Sequence, residues 1–361
     1  MATTSSALIP CGQFKTAYRT DTTIFPTPVT RAVAIAAVVL LCLAPLKIGG
    51  VELLSKYQLN LLIQIGYYGI AALGINILVG FTGQISLGHA AFFGFGAFAS
   101  AWLSNSFGVP VFWAIPLAGV LTTLVGLLFG IPAARIKGLY LAIATFAAQF
   151  ILEDFFARAK WFTGGSAGTL AQPFSIFGYE ISGDHGYFYV VLAYVVLMYL
   201  LGTNLLRSRD GRAFVAVRDH YLSAEVMGIG LTRYRVLSFG ISAFYAGIGG
   251  ALFGHYLGYV SSEAFTILLS IQFLGMIIIG GLGSVMGTLL GTAFMVLLPE
   301  GIGALSRGMG GVFPAFTEGL AFLKEGAIGL VIVLFLMFEP DGLAHRWKMV
   351  KTYWKLYPFS Y

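Results

Sequence analysis

Residues 80–89 read GFTGQISLGH, and they interrupt what would otherwise be one long apolar run. Three glycines, Thr82, Gln84, Ser86 and His89 stand where an uninterrupted membrane helix would carry Leu and Val. Everything around the segment is lipid-like. The chain has 361 residues, 58% hydrophobic and only 10% charged, whereas soluble domains carry about 25% charged residues. Runs such as RAVAIAAVVLLCLAPLKIGG (31–50) and GLVIVLFLMF (329–338) approach the roughly 20 apolar residues that cross a bilayer as a helix. The 47 glycines suit helices that approach one another closely within lipid. The composition therefore excludes a soluble globule and predicts an all-α polytopic membrane protein.

Apolar runs divided by Gly, Pro and charge give ten predicted spans, near 31–49, 58–79, 88–104, 110–133, 138–157, 187–206, 236–258, 266–281, 284–299 and 326–339. Placing the first residues in the cytoplasm puts fifteen of the 21 Lys and Arg on that side, and the positive-inside rule then assigns both termini to it. The expected organisation is a cytoplasmic tail over 1–30, a permease domain over 31–340 with a cytoplasmic loop at 207–235, and a basic cytoplasmic tail over 341–361. The first 30 residues lack the basic-then-apolar order of a cleavable signal. Cys11 and Cys42 form no disulfide framework; Cys42 lies within the first span, as a small hydrophobe does.

GGLGSVMG at 280–287 repeats the Gly/Ser character of the opening segment in the C-terminal half, and a helix rich in small residues follows each break. Paired interruptions point to an internal repeat with a central pathway. One reading of GFTGQISLGH is a tight turn between helices. The other is an unwound segment lining a polar path, since non-helical backbone survives at membrane depth only where protein or a water-filled cavity satisfies its amides. Thr82, Gly83, Gln84, Ser86, Gly88, His89, Gly281, Gly283 and Ser284 are the candidate solute-path residues. His89 is open to two readings, a structural hydrogen bonder or a proton relay. The spacing of GGLGSVMG and the absence of any βαβ pattern exclude a dinucleotide site.

The loop RSRDGRAFVAVRDHYLSAEVMGIGLTRYRV, 207–236, carries six Arg against Asp210, Asp219 and Glu225. Phe214, Val217, Tyr221 and Ala224 recur at helical spacing and predict one amphipathic helix around 212–228, ended by Gly228. A headgroup anchor spreads Lys and Arg over its polar face with few acids. The interleaved signs here favour a protein partner in the cytoplasm.

GFTGQISLGHAAFFGFGAF (80–98), the stretch from GRAFVAVRDHYLSAEVMGIGLTRYRV (211–236) through IIIGGLGSVMGTLLG (277–291), and FEPDGL (338–343) resemble the M-type (LivM-like) permease subunits of branched-chain amino acid ABC importers, a family that also serves amides and urea. The resemblance runs from about residue 58 to 343. It implies a bacterial inner-membrane permease paired with a second, H-type permease, two cytoplasmic ATP-binding subunits and a periplasmic solute-binding protein. It also implies no cofactor on this chain, ATP and Mg being used by the partner subunits. Ala224, Glu225 and Gly228 match the family's motif for coupling to the ATPase, and Arg218 is grouped with them. Gly83, Gln84, Ser86, Gly88 and His89 match its first glycine-rich loop, and Gly281, Gly283 and Ser284 its second. The family commonly shows T-G-G-x-D-G-L in an external loop, where this chain reads TGGSAGT, with Ala167 in place of the acid and Thr169 in place of the Leu. Residues 1–30 and 300–325 find no counterpart in the family pattern.

The residues agree with an external energy source. A proton- or sodium-coupled carrier places acids within its spans, whereas Glu153, Asp154, Glu263, Glu300 and Glu339 fall near span ends. No Lys follows a Gly, so no G-x-x-x-x-G-K-[ST] phosphate loop exists. The five His are scattered, and GGSAG at 164–168 lacks the His and acid partners at a common membrane depth that a G-x-S-x-G elbow needs, which argues against an enzyme; nucleic acid is not an expected partner. The expectation is alternating access, with a binding protein docking on 158–186 and 300–325, the helix around 212–228 moved by the ATPases, and broken-helix N-termini offered to a solute carboxylate. A urea or short-chain amide importer and a passive facilitator remain the alternatives.

Overall fold

The computed structural model describes residues 28–45, 47–48, 51–52, 54–136, 138–176, 179–181, 183–309 and 320–356. Most of the expected tail at 1–30, the centre of the 300–325 loop and the last five residues of the C-terminal tail lie outside them. The chain divides into two compact units, Met1–Leu59 with His345–Tyr361, and Asn60–Ala344.

The first unit holds α1 (Pro28–Leu43) and a two-residue antiparallel pair, β1 (Lys47–Ile48) with β2 (Val51–Glu52). It also holds the first turn of α2 (Lys56–Ile75). That turn opens with a capping box: Ser55 N–H donates to Gln58 Oε1 at 3.0 Å and Gln58 N–H to Ser55 Oγ at 3.3 Å. The unit ends in the basic part of α14 (Gly342–Leu356), where Arg346, Lys348 and Lys351 are exposed.

The second unit is the main helical body. There α2 loosens into a π-helical turn, Asn76–Phe81, followed by irregular chain to α3 (His89–Phe107). Then come α4 (Val111–Ala133), α5 (Leu139–Arg158) and the short α6 (Lys160–Thr163). The strand β3 (Thr169–Leu170) and the hairpin of β4 (Ser175–Ile176) with β5 (Tyr179–Glu180) lead into α7 (Asp184–Arg207). Two short helices, α8 (Arg209–Asp219) and α9 (Tyr221–Val226), precede the long α10 (Leu231–Leu257), and β6 (Tyr259–Val260) pairs antiparallel with β3. The unit closes with α11 (Ile267–Gly280), α12 (Val285–Met309) and α13 (Leu320–Phe338).

Its centre is the contact of α10 with α3 and α4. A Cβ placed at Gly96 would overlap the backbone of Gly247, and one at Gly250 would fall on the Phe93 carbonyl. The absence of side chains thus lets the helices touch backbone to backbone, the usual route to tight association in lipid. Phe93, Phe253, Phe265 and Phe273 fill the space beside the seam with edge-on and tilted rings. The outside is the inverse of a soluble surface: on α4, Leu117, Val120, Leu124, Leu128 and Ile131 form an exposed apolar stripe.

Each of the ten predicted spans falls on a helix, but a count of ten crossings does not follow. Among the described residues, seven helices are long and apolar enough to cross a membrane, or eight if the helices flanking residues 339–341 form one bent span. α1 is short, with 16 residues. α3 carries His89, Ser100, Ser104 and Asn105 and is not apolar enough; thirteen of its residues are buried in protein. A helix sheathed by other helices has no need to dissolve in lipid, so its sequence is free to be polar. The helix expected to end near 299 also continues to Met309 through Pro299.

Candidate functional site

The first break begins at Asn76. As α2 widens into its π turn, a Cβ on Gly80 would overlap the Asn76 carboxamide. That carboxamide turns outward to the second break: Nδ2 donates to Ser284 O at 3.1 Å and to Thr288 Oγ1 at 2.7 Å, while Gly283 N–H donates to Oδ1 at 3.0 Å. The two glycine-rich segments, about 200 positions apart in sequence, therefore meet through one buried side chain. Gly83 and Gly283 have φ of 69° and 77°, a backbone region open to glycine at little cost.

Beyond the π turn the chain is irregular, and burial alternates: Thr82, Gln84, Ser86 and Gly88 are buried, whereas Gly83 and Ile85 are exposed. Thr82 and Gln84 bond to α10. Gln84 Nε2 donates to Ser238 Oγ at 2.7 Å and to Thr82 Oγ1 at 3.1 Å. Those two hydroxyls donate onward, Ser238 to Arg235 O at 2.8 Å and Thr82 to Leu78 O at 2.5 Å. His89 sits at the first position of α3 with Nε2 2.8 Å from Ala71 O.

Two amides in the first turn of α3 are taken by side chains of neighbouring helices. Ala90 N–H donates to Ser270 Oγ at 2.9 Å and Ala91 N–H to Gln149 Oε1 at 2.9 Å, and Leu87 N–H to Thr145 Oγ1 at 3.0 Å. Gln149 is held in turn by Phe265 O at 2.7 Å and Glu153 at 2.9 Å. Two of the orphan donors expected at a helix start, the Ala90 and Ala91 amides, are met by side chains of α11 and α5.

From the other side, α8 reaches the same place. Arg218 Nη1 donates to Gly80 O at 2.7 Å and its Nε to Asp219 Oδ1 at 2.8 Å, while its stem lies over Gly83 and its Nη1 beside Gly283. The single helix expected around 212–228 is two. At His220, φ is −153° and ψ is 81°, so α8 ends and α9 restarts in a new direction. Phe214, Val217 and Ala224 are buried as the spacing predicted, but Tyr221, just past the break, is exposed. α9 ends as predicted at Gly228, φ 84°, in a Schellman arrangement: Ile229 N–H donates to Ala224 O at 2.9 Å and Gly228 N–H to Glu225 O at 3.0 Å. Around it Leu222, Glu225, Val226 and Met227 project outward, Val226 and Met227 being 87% and 81% exposed.

At the opposite end of α10, a cavity of about 310 Å³ is lined by Phe174, Ile181, Asp184, Tyr187, His255 and Tyr256. His255 builds its wall, donating from Nδ1 to Gln172 O at 2.7 Å and accepting from Ser100 Oγ at 2.6 Å.

A chain with paired broken helices and an exposed helical knob bonded to them has the form of a transport subunit. Residues 57–338 match the family model described as the permease component of the branched-chain amino acid transport system. The chain belongs to this family. It is 30% identical over 300 residues to the high-affinity branched-chain amino acid transport system permease protein LivM of Salmonella typhimurium, covering 76% of this chain and 67% of that protein. To the Escherichia coli LivM it is 29% identical over the same shares. The autoinducer 2 import system permease protein LsrC of an Enterobacter species is 25% identical over 202 residues, 54% of this chain and 56% of that one. No solved structure matches the chain.

Two motifs of the resemblance acquire structural roles in this permease. FEPDGL folds onto the second break, with Gly342, φ 68°, packed against the backbone of Gly281. In TGGSAGT, where the family pattern has an acid, Ala167 offers its carbonyl to the Tyr259 hydroxyl at 2.5 Å. Sequence reading singled out neither Asn76, Ser238, Ser242, Gln149 nor Ser270; each is one polar residue within an apolar run, the only signal available for it.

Proposed function

We propose that this chain is one of the two membrane subunits of an ATP-driven importer for branched-chain amino acids, working by alternating access. Its partners are an H-type permease, two ATP-binding subunits that use ATP and Mg, and a periplasmic solute-binding protein. It lies in the bacterial inner membrane with both termini in the cytoplasm. Solute delivered by the binding protein enters at the cavity beside Tyr187 and Tyr256, and the ATPases grip the knob of Leu222, Glu225, Val226 and Met227. The substrate follows the named function of LivM relatives across most of the chain.

The observation that carries this reading is the bond from Arg218 to Gly80 O. It ties the exposed α8–α9 pair directly to the unwound segment, so a push on the knob reaches the break through a charge-assisted contact rather than through a flexible loop. A passive facilitator has no use for such a linkage.

The test is solute-dependent ATP hydrolysis in liposomes by the chain co-purified with its genomic-neighbour ATPases, second permease and binding protein. Stimulation by leucine, isoleucine or valine, lost in Glu225→Arg while the complex still assembles, is the expected result. Stimulation by urea or a short amide alone would reassign the substrate. If no ATPase co-purifies and the chain alone passes solute down its gradient, the importer reading is wrong.

A further inference from the structure

The apolar run of α13 ends just before α14 begins. On α13, Leu330, Val333, Leu334, Leu336, Met337 and Phe338 are exposed, so its apolar surface continues to the helix's final residue. Glu339, Pro340 and Asp341 then close the run, and α14 starts at Gly342. Its first turn is seated on the second break: a Cβ at Gly281 would lie 3.2 Å from Ala344 Cβ, and one at Gly287 2.8 Å. A bent span carried on through α14 would draw Arg346, Lys348 and Lys351 into hydrocarbon, where charge is strongly disfavoured. The helix therefore leaves the hydrocarbon at its first turn.

Beyond that turn α14 is amphipathic. Trp347, Val350 and Tyr353 recur every three residues and form an exposed stripe, while Lys348, Lys351 and Thr352 are exposed on the remaining flank. From Gly342 to Tyr361 the sequence carries Arg346, Lys348, Lys351 and Lys355 and no Asp or Glu. This is unlike α8 and α9, where Arg alternates with Asp210, Asp219 and Glu225. It is also unlike the stripe of α4, which is purely aliphatic and belongs among lipid tails. Trp and Tyr settle at the level of the headgroups, apolar ring inward and polar edge toward water. A basic face without acids beside an aromatic one is what an interfacial helix presents to acidic lipid. An acidic protein surface would answer the charge, but the position of α14 directly after the lipid-facing end of α13 favours the membrane.

We infer that α14 binds anionic phospholipid headgroups, with Lys348 and Lys351 turned to the phosphates and Trp347, Val350 and Tyr353 set into the layer beneath them. The inference goes beyond the importer reading and stands without it, since it concerns the membrane and not the solute.

The test places a nitroxide on the full chain in nanodiscs, at Val350→Cys or at Thr352→Cys, with Cys11 and Cys42 replaced by serine. Collision of the label with oxygen, which concentrates in lipid, is compared with collision with a water-soluble nickel chelate. In discs containing phosphatidylglycerol, the label at 350 is expected to meet oxygen and be shielded from nickel, while the label at 352 stays open to nickel. In discs of phosphatidylcholine alone, or in molar salt where charge is screened, the shielding at 350 is expected to fall. Each basic residue near an acidic surface is worth about fivefold in partition. Lys348→Gln is therefore expected to weaken the shielded state by about fivefold, and Lys348→Glu with Lys351→Glu to abolish the response to phosphatidylglycerol. These positions are exposed, so the unfolding midpoint in detergent is expected to stay unchanged and to show that the variants fold. Equal shielding at 350 in the two lipids, with or without the lysines, would overturn the inference. Shielding reproduced in phosphatidylcholine discs by inorganic phosphate would overturn it in favour of a soluble anion. Shielding that appears only when the co-purified ATPase subunits are added would overturn it in favour of a protein surface.

Discussion

At the scale of single residues, Asn76 and Arg218 carry more than their surroundings suggest. Asn76 makes three hydrogen bonds to the second break. Asn76→Leu keeps the volume but strands the Gly283 amide, while the Thr288 hydroxyl retains its own bond to Ser284 O at 2.9 Å. The expected loss is about 1–3 kcal/mol, read as a lowered midpoint of thermal or denaturant unfolding in detergent. Arg218 divides a rigid fork between Asp219 and Gly80 O. A lysine ammonium cannot span both acceptors with that planar geometry. Arg218→Lys is therefore expected to reduce solute-stimulated ATP hydrolysis by about tenfold while the ATPases still co-purify. Asn76 was hidden in the sequence because one amide within GINILVG has no spacing partner. Its partner lies in the other break, which only the fold brings near.

At the scale of elements, glycines that look alike in the sequence divide by what surrounds them. Gly250 of α10 faces the Phe93 carbonyl of α3, whereas a Cβ at Gly301 of α12 meets nothing within 4 Å. Gly250→Ala is expected to destabilise by about 1–3 kcal/mol through overpacking, and Gly301→Ala to stabilise by up to about 1 kcal/mol through helix propensity. Opposite shifts of the unfolding midpoint would check the pair. The spans themselves were legible because lipid demands long apolar runs. α3 fitted that rule least well, since its polar residues are buried by neighbouring helices rather than by lipid. The end of α9 was legible from Gly228, but the break at His220 was not, because no glycine or proline marks it. Tyr221 consequently continued the predicted stripe on paper and left it in the structure.

At the scale of the molecule, the sequence pointed to two similar breaks, and the structure adds that they are joined. The two breaks form a shared node: Arg218 holds Gly80, and Asn76 holds Gly283, Ser284 and Thr288. If transport requires the breaks to separate, this node opens once per cycle, and a covalent tie in place of the hydrogen bonds must stop transport. Asn76 Nδ2 and Thr288 Oγ1 are 2.7 Å apart, so Asn76→Cys with Thr288→Cys places two thiols on facing positions where a disulfide is sought by oxidation. Cys11 and Cys42, the chain's two cysteines, are first replaced by serine. The oxidised transporter is expected to retain its partner subunits but lose solute uptake, and a reductant to restore uptake to the level of the reduced double variant. Uptake that continues under full oxidation would mean that the two breaks move together as one body, and that the pathway opens along the α10 seam instead.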